Sequence, residues 1–84
     1  MSHTLYILPR AQKALKSIPI DAYQSIRDKI FSLSAVPRPH GCVKLSGREG
    51  WRIRIGNYRV IYEINDYRRM VTILDIGDRK DIYR

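Results

Sequence analysis

The stretch WRIRIGNYRVIYE, Trp51 to Glu63, leaves the chain little choice of local structure. Apolar and charged residues alternate with a period of two, the signature of a strand with one buried face. Gly56-Asn57 interrupts the alternation and is a two-residue hairpin signal. With the turn there, Ile55 faces Tyr58, Arg54 faces Arg59, Ile53 faces Val60, Arg52 faces Ile61 and Trp51 faces Tyr62. One face then carries Trp51, Ile53, Ile55, Tyr58, Val60 and Tyr62 and can join a core. The other carries Arg52, Arg54, Arg59, Ile61 and Glu63. Like charges directly opposite each other on a sheet are destabilising. The Arg54–Arg59 pair is therefore not explained by folding alone.

The remaining segments supply what such a hairpin needs to pack against. His3–Leu8 is β-rich and ends at Pro9, which suits the start of a helix over Arg10–Ser17. Ala11, Ala14, Leu15 and Ile18 keep helical spacing. Pro19 ends that helix and opens a second, whose stripe is Ala22, Tyr23, Ile26, Ile30 and Leu33. Val36–Gly41 has loop chemistry, Val43–Leu45 reads as a short strand, and Met70–Ile76 as a central apolar strand after a turn at Asn65–Arg69. The expected fold is one α+β domain over residues 1–84. In it an N-terminal strand and a helical hairpin pack on one face of an antiparallel β-sheet, in two layers. If Ile64 faces Met70 across the turn, Arg59 faces Asp75 and Ile61 faces Ile73. Val71, Ile73 and Asp75 then share the arginine face, and Glu63 lies diagonal to Arg52.

Charge bears on partners. The chain has 16 Lys plus Arg against 8 Asp plus Glu, a net charge of +8 in 84 residues. The excess is spread over both halves, and it points to a polyanionic partner, either nucleic acid or an acidic protein. Cys42 is the only cysteine, which excludes an internal disulfide framework and a cysteine-rich zinc site. It fits a reducing, cytoplasmic setting. No apolar run has the form of a signal peptide or a membrane span, so no membrane association is expected. His3 and His40 lack metal-ligand spacing. No phosphate-cradling glycine loop, serine elbow or carboxylate pair is present, and neither metal nor cofactor is expected.

Two readings of the arginine face stand side by side. Arg59–Asp75 and Arg52–Glu63 can be solvated ion pairs contributing about 0–1 kcal/mol each. Alternatively the face binds phosphate. Arg rather than Lys recurs at 52, 54 and 59, and its planar fork matches phosphate oxygens. RNA supplies its own nucleophile, the 2′-OH. A protein acting on it must align that oxygen, stabilise charge on phosphorus and assist two proton transfers. Exposed aromatic platforms of the kind used by plain single-strand binders are not evident.

The motifs Ala11–Leu15 before Ile18-Pro19, Lys44-Leu45-Ser46-Gly47, Trp51-Arg52-Ile53-Arg54, Asn57–Glu63, and Ile76-Gly77 followed by Arg79 and Tyr83 belong together. With them the chain resembles the RelE/ParE superfamily of bacterial toxin–antitoxin modules, and within it the RelE-like messenger-RNA interferases. The resemblance implies a metal-independent endoribonuclease that enters the ribosomal A site and cuts the mRNA there. It implies a cognate antitoxin that blocks the toxin, in a complex that binds its own operator DNA through the antitoxin. Arg59, Arg79 and Tyr83 match the family's catalytic positions, and Lys44, Arg52 and Arg54 its RNA- and phosphate-binding ones. This chain has Asp78 where many members carry His, so no histidine acid–base role falls there. ParE-like members share the fold and poison DNA gyrase without a nuclease site.

Overall fold

The computed structural model of the chain describes residues 2–78. Strand β1 (Thr4–Ile7) leads into helices α1 (Pro9–Lys16) and α2 (Ile20–Ser32). Strands β2 (Val43–Lys44), β3 (Trp51–Ile55), β4 (Tyr58–Asn65) and β5 (Met70–Asp78) follow. They form one sheet in the order β1-β5-β4-β3-β2. The first strand lies in the sheet and runs parallel to β5, from Thr4 beside Met70 to Ile7 beside Ile73, so the sheet is mixed. The α+β, two-layer architecture is as expected, with both helices on one face.

Two prolines set the helical hairpin. Pro9 occupies the first turn of α1, where its missing N–H costs nothing, and Pro19 is the N-cap of α2. Asp21 in the first turn of α2 and Lys29 in its last suit the helix dipole. The apolar stripes do what their spacing demands. Ala11, Ile26, Ile30 and Leu33 are buried against Ile53, Val60, Tyr62, Val71, Ile73 and Ile76. Ala14, Leu15, Ile18 and Ala22 pack around them.

The β3–β4 register is the expected one throughout, from Trp51 opposite Tyr62 to Ile55 opposite Tyr58. Of the two turn residues only Gly56 has positive φ, +59°, the type II′ pattern, in which glycine is required at the first position. The β4–β5 register differs from expectation. Asn65, not Ile64, pairs with Met70, and a bulge follows, so that Tyr62 pairs with Ile73 but Ile61 with Asp75. Arg59 consequently faces Gly77, not Asp75.

Both differences have physical causes. The turn is one residue tighter because the Asn65 side chain accepts a bond from the Arg68 N–H at 3.0 Å and Arg69 takes a positive φ of 52°. The bulge at Leu74 answers the sequence of β5. Without it Asp75 would follow Val71 and Ile73 onto the core face, where an ion is costly to bury. One extra residue moves Asp75 to the other face and brings Ile76, 3% exposed, into the core. Val71 and Ile73 therefore lie in the core and not on the arginine face.

The loop before β2 is tied to the sheet by Tyr62, whose hydroxyl donates to the Pro37 carbonyl at 2.8 Å. Burial raises the Tyr62 pKa above its ordinary value, neighbouring Cys42 adds to the rise, and Arg38 opposes it. The unfolded chain ionises this phenol more readily. Its stabilising contribution is thus complete below about pH 10 and is lost as pH rises further.

Two outcomes are expected. Ile73→Ala should lower unfolding free energy by about 2–5 kcal/mol in urea titration, because Ile73 is fully buried. In spectrophotometric titration wild type should keep one phenol protonated at a pH where Tyr62→Phe has none left. Equal curves for the two proteins would show that Tyr62 is not shielded.

Candidate functional site

The β3–β4 hairpin positions three arginines on the face away from the helices. Arg54 lies directly opposite Arg59, and Arg52 opposite Ile61. Their exposures differ. Arg54 is exposed and Arg52 partly so, whereas Arg59 is only 5% exposed and Ile61 7%. Arg59 is the one buried charged residue among the described residues. The face is thus not a solvated row of ions. It is a semi-buried platform with one guanidinium set into it.

That geometry weighs against a purely structural pair. Two guanidinium groups about 6 Å apart repel by roughly 0.7 kcal/mol in water and roughly 3 kcal/mol at an effective dielectric of 20. Burial of Arg59 moves the pair toward the larger figure. Arg59 does engage other groups of the chain, as a buried cation must. The neighbouring carboxylate does not face it: Asp75 stands opposite Ile61, and its Oδ2 lies 3.3 Å from Arg10 on α1. Two neighbouring forks, one buried and one exposed, can hold an anion with several oxygens, and an anion there turns their repulsion into attraction.

The other sequence-predicted positions fall in three groups. Arg52 joins Arg54 and Arg59 on the platform. Lys44 does not, because it pairs with Trp51 and so projects from the opposite face, with Nζ 5.5 Å from the Trp51 ring. Arg79 and Tyr83 lie outside the described residues. Among the described residues no three His, Cys, Asp or Glu side chains are grouped so as to hold a metal ion.

A second polar cluster, which sequence reasoning did not single out, occupies the far end of the sheet. Arg38 lies over the Trp51 ring at 5.1 Å and grips Asp66 with both terminal nitrogens, at 3.3 and 2.9 Å. His3 meets the same carboxylate at 3.3 Å. Arg38, and after it His3, hold the Asp66 carboxyl below its ordinary range, and Asp66 in turn raises Arg38. The Trp51 end of this cluster borders a groove of about 640 Å³ lined also by Lys44, Glu63 and Thr72. The sequence signal was the run Asp66-Tyr67-Arg68-Arg69, which turn chemistry alone had seemed to explain.

Known proteins share this fold. The family described as "ParE toxin of type II toxin-antitoxin system, parDE" matches residues 5–83. The archaeal RelE–RelB complex from Pyrococcus horikoshii OT3 contains a chain 30% identical, with 94% of this chain and 97% of that one aligned at a TM-score of 0.83. The RelBE2 toxin–antitoxin complex from Mycobacterium tuberculosis gives 24% identity, 94% and 100% coverage and a TM-score of 0.83. The isolated E. coli RelE toxin gives 22%, 98% and 92%, and 0.79. No curated protein matches the chain by sequence. A toxin-family match over nearly the whole length, on a sheet that carries this arginine pair, leads to one assignment: the chain belongs to the RelE/ParE superfamily of toxins of type II toxin–antitoxin systems.

Proposed function

We propose that this toxin is a ribosome-dependent endoribonuclease that cuts mRNA in the ribosomal A site and so inhibits translation. The observation that carries the reading is Arg54 set directly opposite the nearly buried Arg59. A phosphate held between the two forks turns their mutual repulsion into attraction, and the scissile phosphate is the anion an RNA-cutting toxin must hold.

In this reading Arg54 and Arg59 bind the phosphate, with Arg52 guiding the strand. The 2′-OH attacks phosphorus, the bond to the 5′-oxygen breaks, and a 2′,3′-cyclic phosphate and a 5′-hydroxyl remain. Tyr83, as phenolate, takes the proton from the 2′-OH, and the leaving 5′-oxygen, its charge neutralised by Arg79, takes a proton from water; the two side-chain roles are assigned from the family resemblance. Arginine is a poor base because its pKa exceeds about 12, so the phenol is left with the proton transfer. Lys44 has no part at the phosphate, given its face. A weak acid–base set makes the isolated protein slow, and the A site supplies the in-line geometry that it lacks.

Neutralisation falls to a cognate antitoxin, as the RelB-bound relatives suggest, and the pair binds its operator through the antitoxin's DNA-binding part. With +8 on the toxin, an acidic antitoxin segment that folds on binding fits best. The rival reading, a non-nuclease inhibitor of DNA gyrase, draws on the ParE name of the matching family. Fold alone does not separate the two.

Primer extension on mRNA in a translation extract distinguishes them. New ends in codon register are expected with wild type. Gyrase-dependent DNA breaks with intact mRNA would transfer the assignment to the rival.

Two further outcomes are expected. Arg59→Ala should slow cleavage by roughly 10²–10³-fold in single-turnover assays while circular dichroism stays native, and Arg59→Lys should also be impaired through loss of the fork. A fully active Arg59→Ala would place the site elsewhere. Tyr83→Phe should slow cleavage by roughly 10²–10⁴-fold with ribosome binding retained. Cutting of a message that lacks the 2′-OH at the cleavage position would overturn the in-line route.

A further inference from the structure

We infer that the tip of the β4–β5 hairpin, Tyr67-Arg68-Arg69, is a second RNA contact, separate from the arginine pair, in which an unpaired base stacks on Tyr67 and adjoining phosphates meet the two arginines. The inference rests on the nuclease reading above for its partner class, and on the hairpin itself for its site.

Tyr67 is 96% exposed, the most exposed large hydrophobic side chain among the described residues. An aromatic ring left in water gains nothing for the fold. Arg68 and Arg69 beside it are also exposed, and neither forms an ion pair with another described residue. The loop that holds them is nevertheless built. Asn65 Oδ1 accepts from the Arg68 N–H at 3.0 Å, and the Arg69 N–H donates to the Asp66 carbonyl at 3.3 Å. The Asp66 carboxylate is clamped by Arg38 and His3, and the Arg69 carbonyl accepts from the Thr4 N–H at 2.7 Å. Arg69 sits at φ +52°, a conformation uncommon outside glycine, asparagine and aspartate, and this helps present the three side chains outward.

An exposed aromatic ring next to cations is the chemistry that takes up unstacked bases: the ring stacks on any base and guanidinium groups meet the backbone. An acidic peptide would engage the arginines but has no use for the ring. The separation from the arginine pair also matters. From Arg59 to Asn65 along β4 is six residues, about 20 Å of strand. The two sites therefore lie toward opposite ends of a molecule whose longest extent is 34 Å. They hold different nucleotides, either of the message or of ribosomal RNA.

The test is equilibrium binding of wild type, Tyr67→Ala, Tyr67→Phe, Arg68→Ser and Arg69→Gly. The probes are purified ribosomes carrying a short mRNA, and the same mRNA alone. Tyr67→Ala should bind programmed ribosomes roughly tenfold or more weakly, and Tyr67→Phe as wild type. Each arginine variant should lower the salt dependence of log K by about one contact. Single-turnover cleavage at saturating toxin should be unchanged in all four. Weaker binding to free mRNA as well assigns the contact to the message; weaker binding to ribosomes alone assigns it to ribosomal RNA. Tyr67→Ala binding both probes like wild type overturns the inference while leaving the nuclease reading intact. Failure of wild type to bind either probe overturns the nuclease reading, and this inference with it.

Discussion

The phase of the β4–β5 ladder decides what the open side of this sheet can do. Strand β5 offers Val71, Ile73 and Ile76 to the core, and these are not in a single alternation. The bulge at Leu74 reconciles them, and its consequences run across the sheet. Asp75 is expelled toward Arg10, and Gly77, which has no side chain, arrives opposite Arg59. Had the ladder run straight from the turn, Asp75 would lie opposite Val60 on the core face, where a carboxylate is costly to bury. The fold thus turns Asp75 out of the core and sets it opposite Ile61 with its Oδ2 on Arg10, through a defect that core packing requires.

That phase was also the main feature the sequence did not disclose. The β3–β4 register was legible because Gly56-Asn57 admits one tight turn and every flanking residue agrees with it. The helical hairpin was legible from its two prolines and its spaced apolar residues. The second turn was not, because Asn65–Arg69 can close with either four or five residues. The choice rests on the Asn65 side chain and a left-handed Arg69, neither of which has a strong local signature. Of the expected site, the Arg52, Arg54 and Arg59 grouping followed from register, while the face of Lys44 depended on the pairing of a strand only two residues long. The parallel placement of β1 required a long-range contact that no local pattern encodes.

Burial of Arg59 changes how the site is to be understood. An exposed arginine binds phosphate in competition with water and salt, and loses side-chain entropy when it does. A guanidinium that is 5% exposed has already been ordered and largely desolvated during folding. In the proposed reaction it offers fixed positive charge at the phosphate, which is the condition for electrostatic catalysis without reorganisation. Exposed Arg54 opposite it can adjust to the strand. In the proposed reaction the pair therefore divides capture from stabilisation between two residues of the same type, by burial alone.

The clamp at the other end of the sheet follows the same logic of ordering before binding. Asp66 holds Arg38 and His3, and its carboxyl is kept below the ordinary range chiefly by Arg38. Such a carboxylate stays charged at any pH above its usual pKa, and the interaction is lost only as pH falls through the depressed value. At neutral pH the Asp66 carboxylate that ties the base of the hairpin tip to Arg38 and His3 is therefore charged. A preordered loop surrenders little entropy on contact. Two ordered contacts on one rigid sheet reinforce each other only when an RNA reaches both, since the second then binds at high effective concentration. Net charge alone would attract this protein to every nucleic acid. If both proposed contacts hold RNA, the fixed spacing between a phosphate grip and a base platform favours one RNA geometry over the rest, without any base-specific hydrogen bond.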